Sequence, residues 1–466
     1  MSRRVLLLSW EYPPVIEGGL ARHVCKLAEA LVRLGVDVDV LTRAPAAEVP
    51  ALGAHQAGDG AEVLAGRNSL QDDALGESQD DALGESPRAD ALEGEDGRVA
   101  QPGGPAGHVS VEIRAGVTVH RVPEPGWPRD LDRFVAWVER MNDDMLAAGL
   151  LLAGEHEYDL IHGHDWLVAH ASCSLSERLR VPYATTIHAT EHGRHQGWVH
   201  DPPQSHIHAV ERFMAHRADA VIVCSYYMRG HVADIFDIDE GRVAVIPNGV
   251  DPRDLRPVGD LDALRAEFAD PEERLVLLVG RLVYEKGFQL ALDALPGVIE
   301  RVRELGGGAV RFLVAGSGTH ESELRAQAQR LGLSEHGVFL GWIGDDALHS
   351  LYRIADLCVV PSIYEPFGIV ALEAMACGCP CIVADTGGLR EVVPAGERVG
   401  LRFNGGDAEH LGVMIERLLV DTVLRDRLVT EASEHVLRFD WDDIAARTLE
   451  VYDGLGRLAP TGEKAN

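Results

Sequence analysis

In the segment YEPFGIVALE, residues 364–373, two carboxylates, Glu365 and Glu373, flank a proline and a single glycine. The preceding LCVVPS reads as a buried strand ending near Ser362, and from Gly368 onward Val370, Leu372, Ala374 and Met375 read as a helix. Glu365 is therefore expected in the loop and Glu373 within the helix, at most about 12 Å apart at ~1.5 Å per residue. That is about the reach from a sugar to the ribose of a nucleotide. Between the two glutamates lies a helix start, whose free N–H groups and positive dipole suit a diphosphate. A second loop, GRLVYEKG at 280–287, follows another strand and offers Arg281 and Lys286. Two cations at the carboxyl end of a strand can neutralise a departing diphosphate. The same pair also fits a merely solvated, charged loop.

The elements that must position these residues follow a repeating pattern. VLLLSW (5–10) is a short apolar run; a glycine pair follows, then LARHVCKLAEALVRLG with Leu20, Val24, Leu27 and Leu31 at helical spacing. Gly35 is placed to end that helix, and VDVDVLT (36–42) alternates as a strand does. Residues 44–108 break the pattern. QDDALGES occurs twice in tandem, at 71–78 and 79–86, and the segment reads as a disordered, acidic insertion.

Apolar runs then resume in DLIHGHD, VPYATTIH, ADAVIVCS and VAVIPNGV, and again from 274 in LVLLVGRL, RFLVAGSG, VFLGWI, LCVVPS and CIVADT. Two successive series predict an α/β protein of two doubly wound, Rossmann-like domains facing across a cleft, with ligand loops at the strands' carboxyl ends. The expected division is 1–250, 251–435 and a terminal segment 436–466, with a hinge near Pro247 to Pro257. FDWDDIAARTLEVYDGL (439–455) reads as a final amphipathic helix.

Composition narrows the classes. The 466 residues carry a formal net charge of −31, which argues against a phosphate-backbone partner such as nucleic acid. Seven cysteines in so long a chain suit a reducing compartment, and a cytoplasmic location is expected. Val5 to Leu8 is too short for the apolar core of a signal peptide, which needs ~7–15 residues. No run reaches the ~18–20 apolar residues that span a bilayer.

Several motifs have plainer readings. CGCPC (377–381) lacks the C-x2-C spacing of zinc sites and links a helix end to a strand, where cysteine serves as a small buried residue. His188 and His192 are four apart, but Gly193 and Gly197 spoil a helix that would make them metal ligands. DVD (37–39) sits in a strand and reads as structural. GSGTHE (316–321) has Glu321 where a dinucleotide fingerprint has its third glycine; a nucleotide base resting near Gly316 to Gly318 is expected instead.

Taken together, the E-x7-E pattern, GRLxxEKG, PNGVD (247–251) and DTGGL (385–389) resemble glycosyltransferase family 4, retaining enzymes of the GT-B architecture. The resemblance covers nearly the whole chain except the insertion. SWEYPPVIEGGLARHV, HGHDWLVAH and TTIHATEHGRHQGWV look, more narrowly, like actinobacterial glycogen-synthase-like α-1,4-glucosyltransferases. The resemblance implies that Glu365 faces the donor sugar, that Phe367, Gly368 and Ile369 offer backbone N–H groups, and that Glu373 holds the ribose hydroxyls. Arg281 and Lys286 would stabilise the departing diphosphate, with Thr386 and Gly387 of DTGGL beside the donor. Gly18 and Gly19 would let backbone approach the phosphates, His188 would contact the transferred sugar, and Asp165 would sit near sugar and acceptor.

No side chain stands out as a covalent nucleophile, so a front-face, substrate-assisted route to retention is expected, with no metal or other cofactor. Starch and bacterial glycogen synthases of the related family place a lysine where this chain has Glu17, which leaves UDP-glucose and ADP-glucose both open as donors. The implied reaction is glucosyl transfer from a nucleotide-sugar to an α-1,4-glucan. Transfer to a lipid or small acceptor is the alternative, but the segment RDLDRFVAWVERMNDDMLAAGLLLAG (129–154) has nearly balanced charge and no lysine, unlike a basic membrane face. A non-catalytic sensor would be expected to lack Glu365, Arg281 or Lys286, and all three are present.

Overall fold

The computed structural model describes residues 3–16, 18–44, 109–123, 131–257 and 259–456. The acidic insertion, Glu17 and the terminal residues from 457 lie outside the described residues. Two parallel sheets organise the chain. The first joins β1 (Arg4–Leu8), β2 (Asp37–Arg43), β3 (Ser110–Arg114), β4 (Val117–Val122), β5 (Leu160–His164), β6 (Tyr183–Ile187), β7 (Ala220–Val223) and β8 (Val243–Val245), in the order β3-β4-β2-β1-β5-β6-β7-β8. The second contains β9 (Arg274–Val279), β10 (Val310–Ala315), β11 (Gly337–Gly341), β12 (Leu357–Val360), β13 (Cys381–Ala384) and β14 (Leu401–Phe403), in the order β11-β10-β9-β12-β13-β14. Every pairing is parallel except β3 with β4.

The strands are short apolar runs because helices cover both faces of each sheet: β5, β6, β7, β12 and β13 are buried throughout. In each sheet the strand order reverses once, between β1 and β5 and between β9 and β12. Adjacent crossovers leave on opposite faces there, so a crevice opens beyond the carboxyl ends. Gly18, Gly19 and Asp165 follow β1 and β5; Arg281, Lys286 and Glu365 follow β9 and β12.

The helix after the glycine pair runs Gly19–Arg33 and buries Val24, Leu27 and Leu31, with Gly35 at φ 85° closing it. The antiparallel β3–β4 hairpin at the edge was not singled out in the sequence; its outer strand, SVEIR, alternates polar and apolar residues but is exposed along its whole length. The helix read at 129–154 is found at Leu131–Glu155, and the last at Trp441–Gly456.

That last helix packs on Gly19–Arg33 of the first sheet's domain, where Arg33 pairs with Asp442 (Nε to Oδ1, 2.8 Å) and Arg3 with Asp453 (2.7 Å). The chain thus crosses between the domains twice, and the two crossings are joined where Val250 N–H donates to the Phe439 carbonyl at 2.9 Å. No helix among the described residues is long and apolar enough to cross a membrane.

Candidate active site

Lys286 ends a single 3-10 turn, Tyr284–Lys286, after β9, and Glu365 lies in the loop after β12. Their side chains meet at 2.7 Å, and the second contact of Glu365 Oε2 is the Ser362 hydroxyl at 3.0 Å. Glu365 is buried, so the lysine supplies the positive charge its carboxylate needs. The loop carrying Arg281 is fastened by the GSG loop: Leu282 N–H donates to the Ser317 carbonyl (2.9 Å) and His320 N–H to the Leu282 carbonyl (2.8 Å). Gly316 itself donates to the Gly341 carbonyl at 2.8 Å.

Arg281 makes no ion pair among the described residues, and the residue is exposed at the cleft. The surrounding protein, and then Arg194 across the cleft, lower its pKa from the usual arginine value.

Gly368 caps the helix Ile369–Ala376 at φ 116°, a conformation that favours glycine. Gly387 has φ 48°, and a Cβ there would lie 2.2 Å from the Glu365 carbonyl oxygen. The DTGGL turn therefore presses directly on the Glu365 loop, with Thr386 Oγ1 donating to the Ile363 carbonyl (3.1 Å) and Gly388 N–H to the Glu365 carbonyl (2.9 Å). Phe367 is buried and its ring stands edge-on to Phe439, beside the second crossing.

Across the cleft Asp165 is buried at φ 61°, in the left-handed region, and its carboxylate accepts the His188 backbone N–H at 2.8 Å. Burial raises the Asp165 pKa to about 6. His188 Nε2 and His164 Nδ1 are 3.2 Å apart, and the His23 and His188 rings lie edge-to-face at 4.5 Å. Burial lowers the His188 pKa to about 3 and the His164 and His23 values well below 6.5. Sequence spacing did not show that His23, His164 and His188 converge; three different elements bring them together.

The loop holding His188 is fixed by the short helix Glu191–Arg194, whose N-terminus is capped by Thr190 Oγ1 accepting from Gly193 N–H (3.0 Å). Glycine at 193 was expected to prevent helix here. The cap and Glu211, whose carboxylate accepts Glu191 N–H at 2.9 Å, stabilise one turn nonetheless.

The two sides touch through residues the sequence did not single out. Tyr364, next to Glu365, accepts Thr190 N–H at 3.2 Å and lies so close to Gly193 that a Cβ would fall 2.2 Å from its ring. The N–H groups of Tyr226 and Tyr227, at a helix start, donate to Glu391 at 3.0 and 2.9 Å. Gly18 N–H donates to Glu11 (3.2 Å), and Gly19 faces the Ile369 side chain. Arg22, three residues on, donates to Glu373 Oε1 at 3.1 Å and bonds Asp345, while Tyr352 donates to Glu373 Oε2 at 3.2 Å. Burial raises the Glu373 pKa against the lowering pull of Arg22.

The cysteines at 377, 379 and 381 are buried free thiols within the second domain. Asp39 of the DVD segment is buried against Tyr158 and His120 rather than facing the cleft.

Comparison with known proteins supplies the family. A model of glycosyl transferases group 1 matches residues 262–435, one of glycosyltransferase family 4 matches 96–254, and one of the starch synthase catalytic domain matches 4–63. An uncharacterised glycosyltransferase of Methanocaldococcus jannaschii is 32% identical over 96% of this chain and 97% of its own length. The chain belongs to the family 4 glycosyltransferases of GT-B architecture. This glycosyltransferase is also 32% identical to a glycogen synthase of Mycobacterium tuberculosis, over 96% of the chain and 94% of the relative. A D-inositol 3-phosphate glycosyltransferase of Acidothermus cellulolyticus is 29% identical over 93% and 85%. Among solved structures, sucrose-phosphate synthase from Thermosynechococcus elongatus superposes with a TM-score of 0.72 at 24% identity, covering 98% and 100% of the two chains. The catalytic domain of starch synthase IV from Arabidopsis thaliana, bound to ADP and acarbose, gives 0.67 at 19% identity, covering 98% and 100%.

Proposed function

We propose that this glycosyltransferase moves glucose from UDP-glucose or ADP-glucose onto the end of an α-1,4-glucan, with retention at the anomeric carbon. The observation that carries the reading is the Lys286–Glu365 pair facing Asp165 and His188, in a chain collinear over 96% of its length with a glycogen synthase. The donor diphosphate lies against the helix start at Gly368, where the first N–H groups lack intrahelical partners. Lys286 leaves Glu365 for the phosphate, and Arg281, which makes no ion pair among the described residues, joins it. Glu373 takes the ribose hydroxyls and Glu365 the sugar.

In the front-face reaction the bond from the anomeric carbon to the phosphate oxygen lengthens as the acceptor hydroxyl approaches the same face. The acceptor proton passes to the departing phosphate oxygen, which keeps the bonding pair. His188, neutral at pH 7, orients the sugar by hydrogen bonding rather than by charge. Asp165, mostly ionised at pH 7, helps to hold the acceptor. This chemistry routes no step through a metal.

Initial rates with UDP-glucose, ADP-glucose and GDP-mannose, each with maltooligosaccharide or glycogen, test the reading. Chain extension from either glucose donor, with an α-linked product, is the expected result. Turnover only on an inositol phosphate, the acceptor class named for the Acidothermus relative, or only with added lipid, overturns it.

A further inference from the structure

Three histidines from three elements converge on the first domain's wall of the cleft. His23 lies in the helix Gly19–Arg33, His164 ends β5 and His188 follows β6. Each can offer a ring nitrogen, and the three nitrogens lie within 4.8 Å of one another. His164 Nδ1 and His188 Nε2 stand 3.2 Å apart, about the spacing of two imidazole nitrogens that share one zinc ion at ~2.0–2.1 Å each. Rotation of the rings about their side-chain torsions closes the third side.

A neighbouring histidine shows what a purely structural role looks like. His162, its ring 4.3 Å from that of His164, bonds at both nitrogens, Nδ1 to the Tyr452 hydroxyl (2.7 Å) and Nε2 to the Thr186 hydroxyl (2.8 Å). The cluster is not completed in that way. His23 Nδ1 and His164 Nε2 are buried without a hydrogen-bond partner, as is Oδ1 of Asn248, the residue beside His23. Buried polar atoms left so are costly. An ion on one nitrogen of His23 lets the other donate its N–H to Asn248, the arrangement that usually orients a metal-bound imidazole.

Burial keeps all three rings neutral at pH 7, the protonation state that ligates a metal. The group has no carboxylate and no thiol, so it suits Zn²⁺ or Co²⁺ rather than Mg²⁺ or Ca²⁺. Three protein ligands leave a fourth position open, and His188, the least buried of the three, gives an entry path from the cleft.

We infer that His23, His164 and His188 form a site for one Zn²⁺ ion, and that the bound ion inhibits transfer by excluding the sugar of the donor. The ion is no part of the reaction. The site stands on the cluster's geometry alone; the exclusion rests on the proposed placement of the transferred sugar at His188.

Titration of the chelator-treated full chain with Co²⁺, followed by Zn²⁺, tests the site. One equivalent of Co²⁺ is expected to give the visible bands of a tetrahedral, nitrogen-ligated ion, without the near-ultraviolet charge transfer of a thiolate, and Zn²⁺ should displace it. His23→Gln and His164→Gln should weaken Zn²⁺ binding about tenfold or more, whereas His170→Gln, at an exposed histidine outside the cluster, should not. The cobalt spectrum of the unaltered chain decides the ligand type even if the buried variants lose stability. UDP-glucose or ADP-glucose should weaken Zn²⁺ binding at least about threefold more than UDP or ADP, which chelate the ion equally through the same diphosphate. No bound equivalent, thiolate bands, or undiminished affinity in folded His23→Gln overturns the site. Zinc bound at the cluster with equal effects of nucleotide and sugar nucleotide overturns the exclusion, while leaving the test of glucosyl transfer to the initial rates.

Discussion

The two walls of the cleft use opposite electrostatics. The wall built on the second sheet is charged, with Lys286 paired to Glu365 and Arg281, which makes no ion pair among the described residues, beside them. The wall built on the first holds most of its titrating groups neutral: four buried histidines, His23, His162, His164 and His188, have pKa values lowered by burial, while burial raises the Asp165 carboxyl to about 6 and Glu211 well above 4.5, with Arg194 the cation near both carboxyls. A departing diphosphate needs permanent cations held ready, whereas hydroxyl-bearing groups are oriented by neutral donors and acceptors at little desolvation cost. In the proposed reaction the difference would give leaving-group chemistry to one domain and sugar positioning to the other, with catalysis depending on their juxtaposition.

The strongest way to break this division is to remove charge from the charged wall. Lys286→Ala or Glu365→Ala should lower kcat about 10³-fold, since each is held where charge develops. Both variants should retain the native circular dichroism spectrum. Full activity in either would end the assignment of leaving-group stabilisation to this wall.

On the neutral wall Asp165 should show itself in the pH profile. Transfer should fall on the acid side with an apparent pKa near 6 as Asp165 becomes protonated. Asp165→Asn should be slower by about 10²-fold and should lack that limb. A limb that persists in the variant belongs to another group.

Stability provides a third test, with opposite signs for the two residue types. Asp165 has a folded pKa above its ordinary 3.8, so it favours folding at low pH and loses that contribution as pH rises towards about 6. His162 and His188, lowered from 6.5 to about 3, stabilise the fold above 6.5 and lose that contribution as pH falls. At pH 5 each such histidine costs about 2 kcal/mol, against about 1 kcal/mol gained from Asp165 and a further gain of the same sign from Glu211. Net destabilisation on acidification from pH 7 to 5 is therefore expected in thermal melts, and His164→Gln should make the slope shallower. A flat profile would mean that the histidines are not buried neutral.

Much of the charged wall was legible in sequence because its residues lie in short loops after strands, where local pattern fixes position. Lys286 and Arg281 follow β9 within one loop, and Glu365 follows β12. The neutral wall was legible only in part. His188 and Asp165 stood out through family resemblance, but His23 and His164 meet them only because β1 and β5 are neighbours and β6 lies next to β5, a non-local fact that no spacing encodes. The contacts between the walls were the least legible. Arg22 to Glu373 joins residues 351 positions apart, and Tyr364 to Thr190 joins residues 174 apart. The one local signal was that Arg22 lies a turn beyond the glycine pair, on the helix that faces Ile369.

That contact gives the smallest expected effect and the sharpest reading of how the walls interact. Both Glu373 oxygens are engaged without nucleotide, one by Arg22 and one by Tyr352, so ribose hydroxyls bind in competition with an ion pair between the domains. Arg22→Ala should therefore tighten UDP or ADP binding about three- to tenfold, within the ~1.4 kcal/mol that a tenfold change represents. Glu373→Ala should weaken it, which separates competition at the carboxylate from a general loosening of the cleft. Weaker nucleotide binding in Arg22→Ala would instead place the guanidinium on the donor itself, and the neutral wall would then contribute a cation to the charged one.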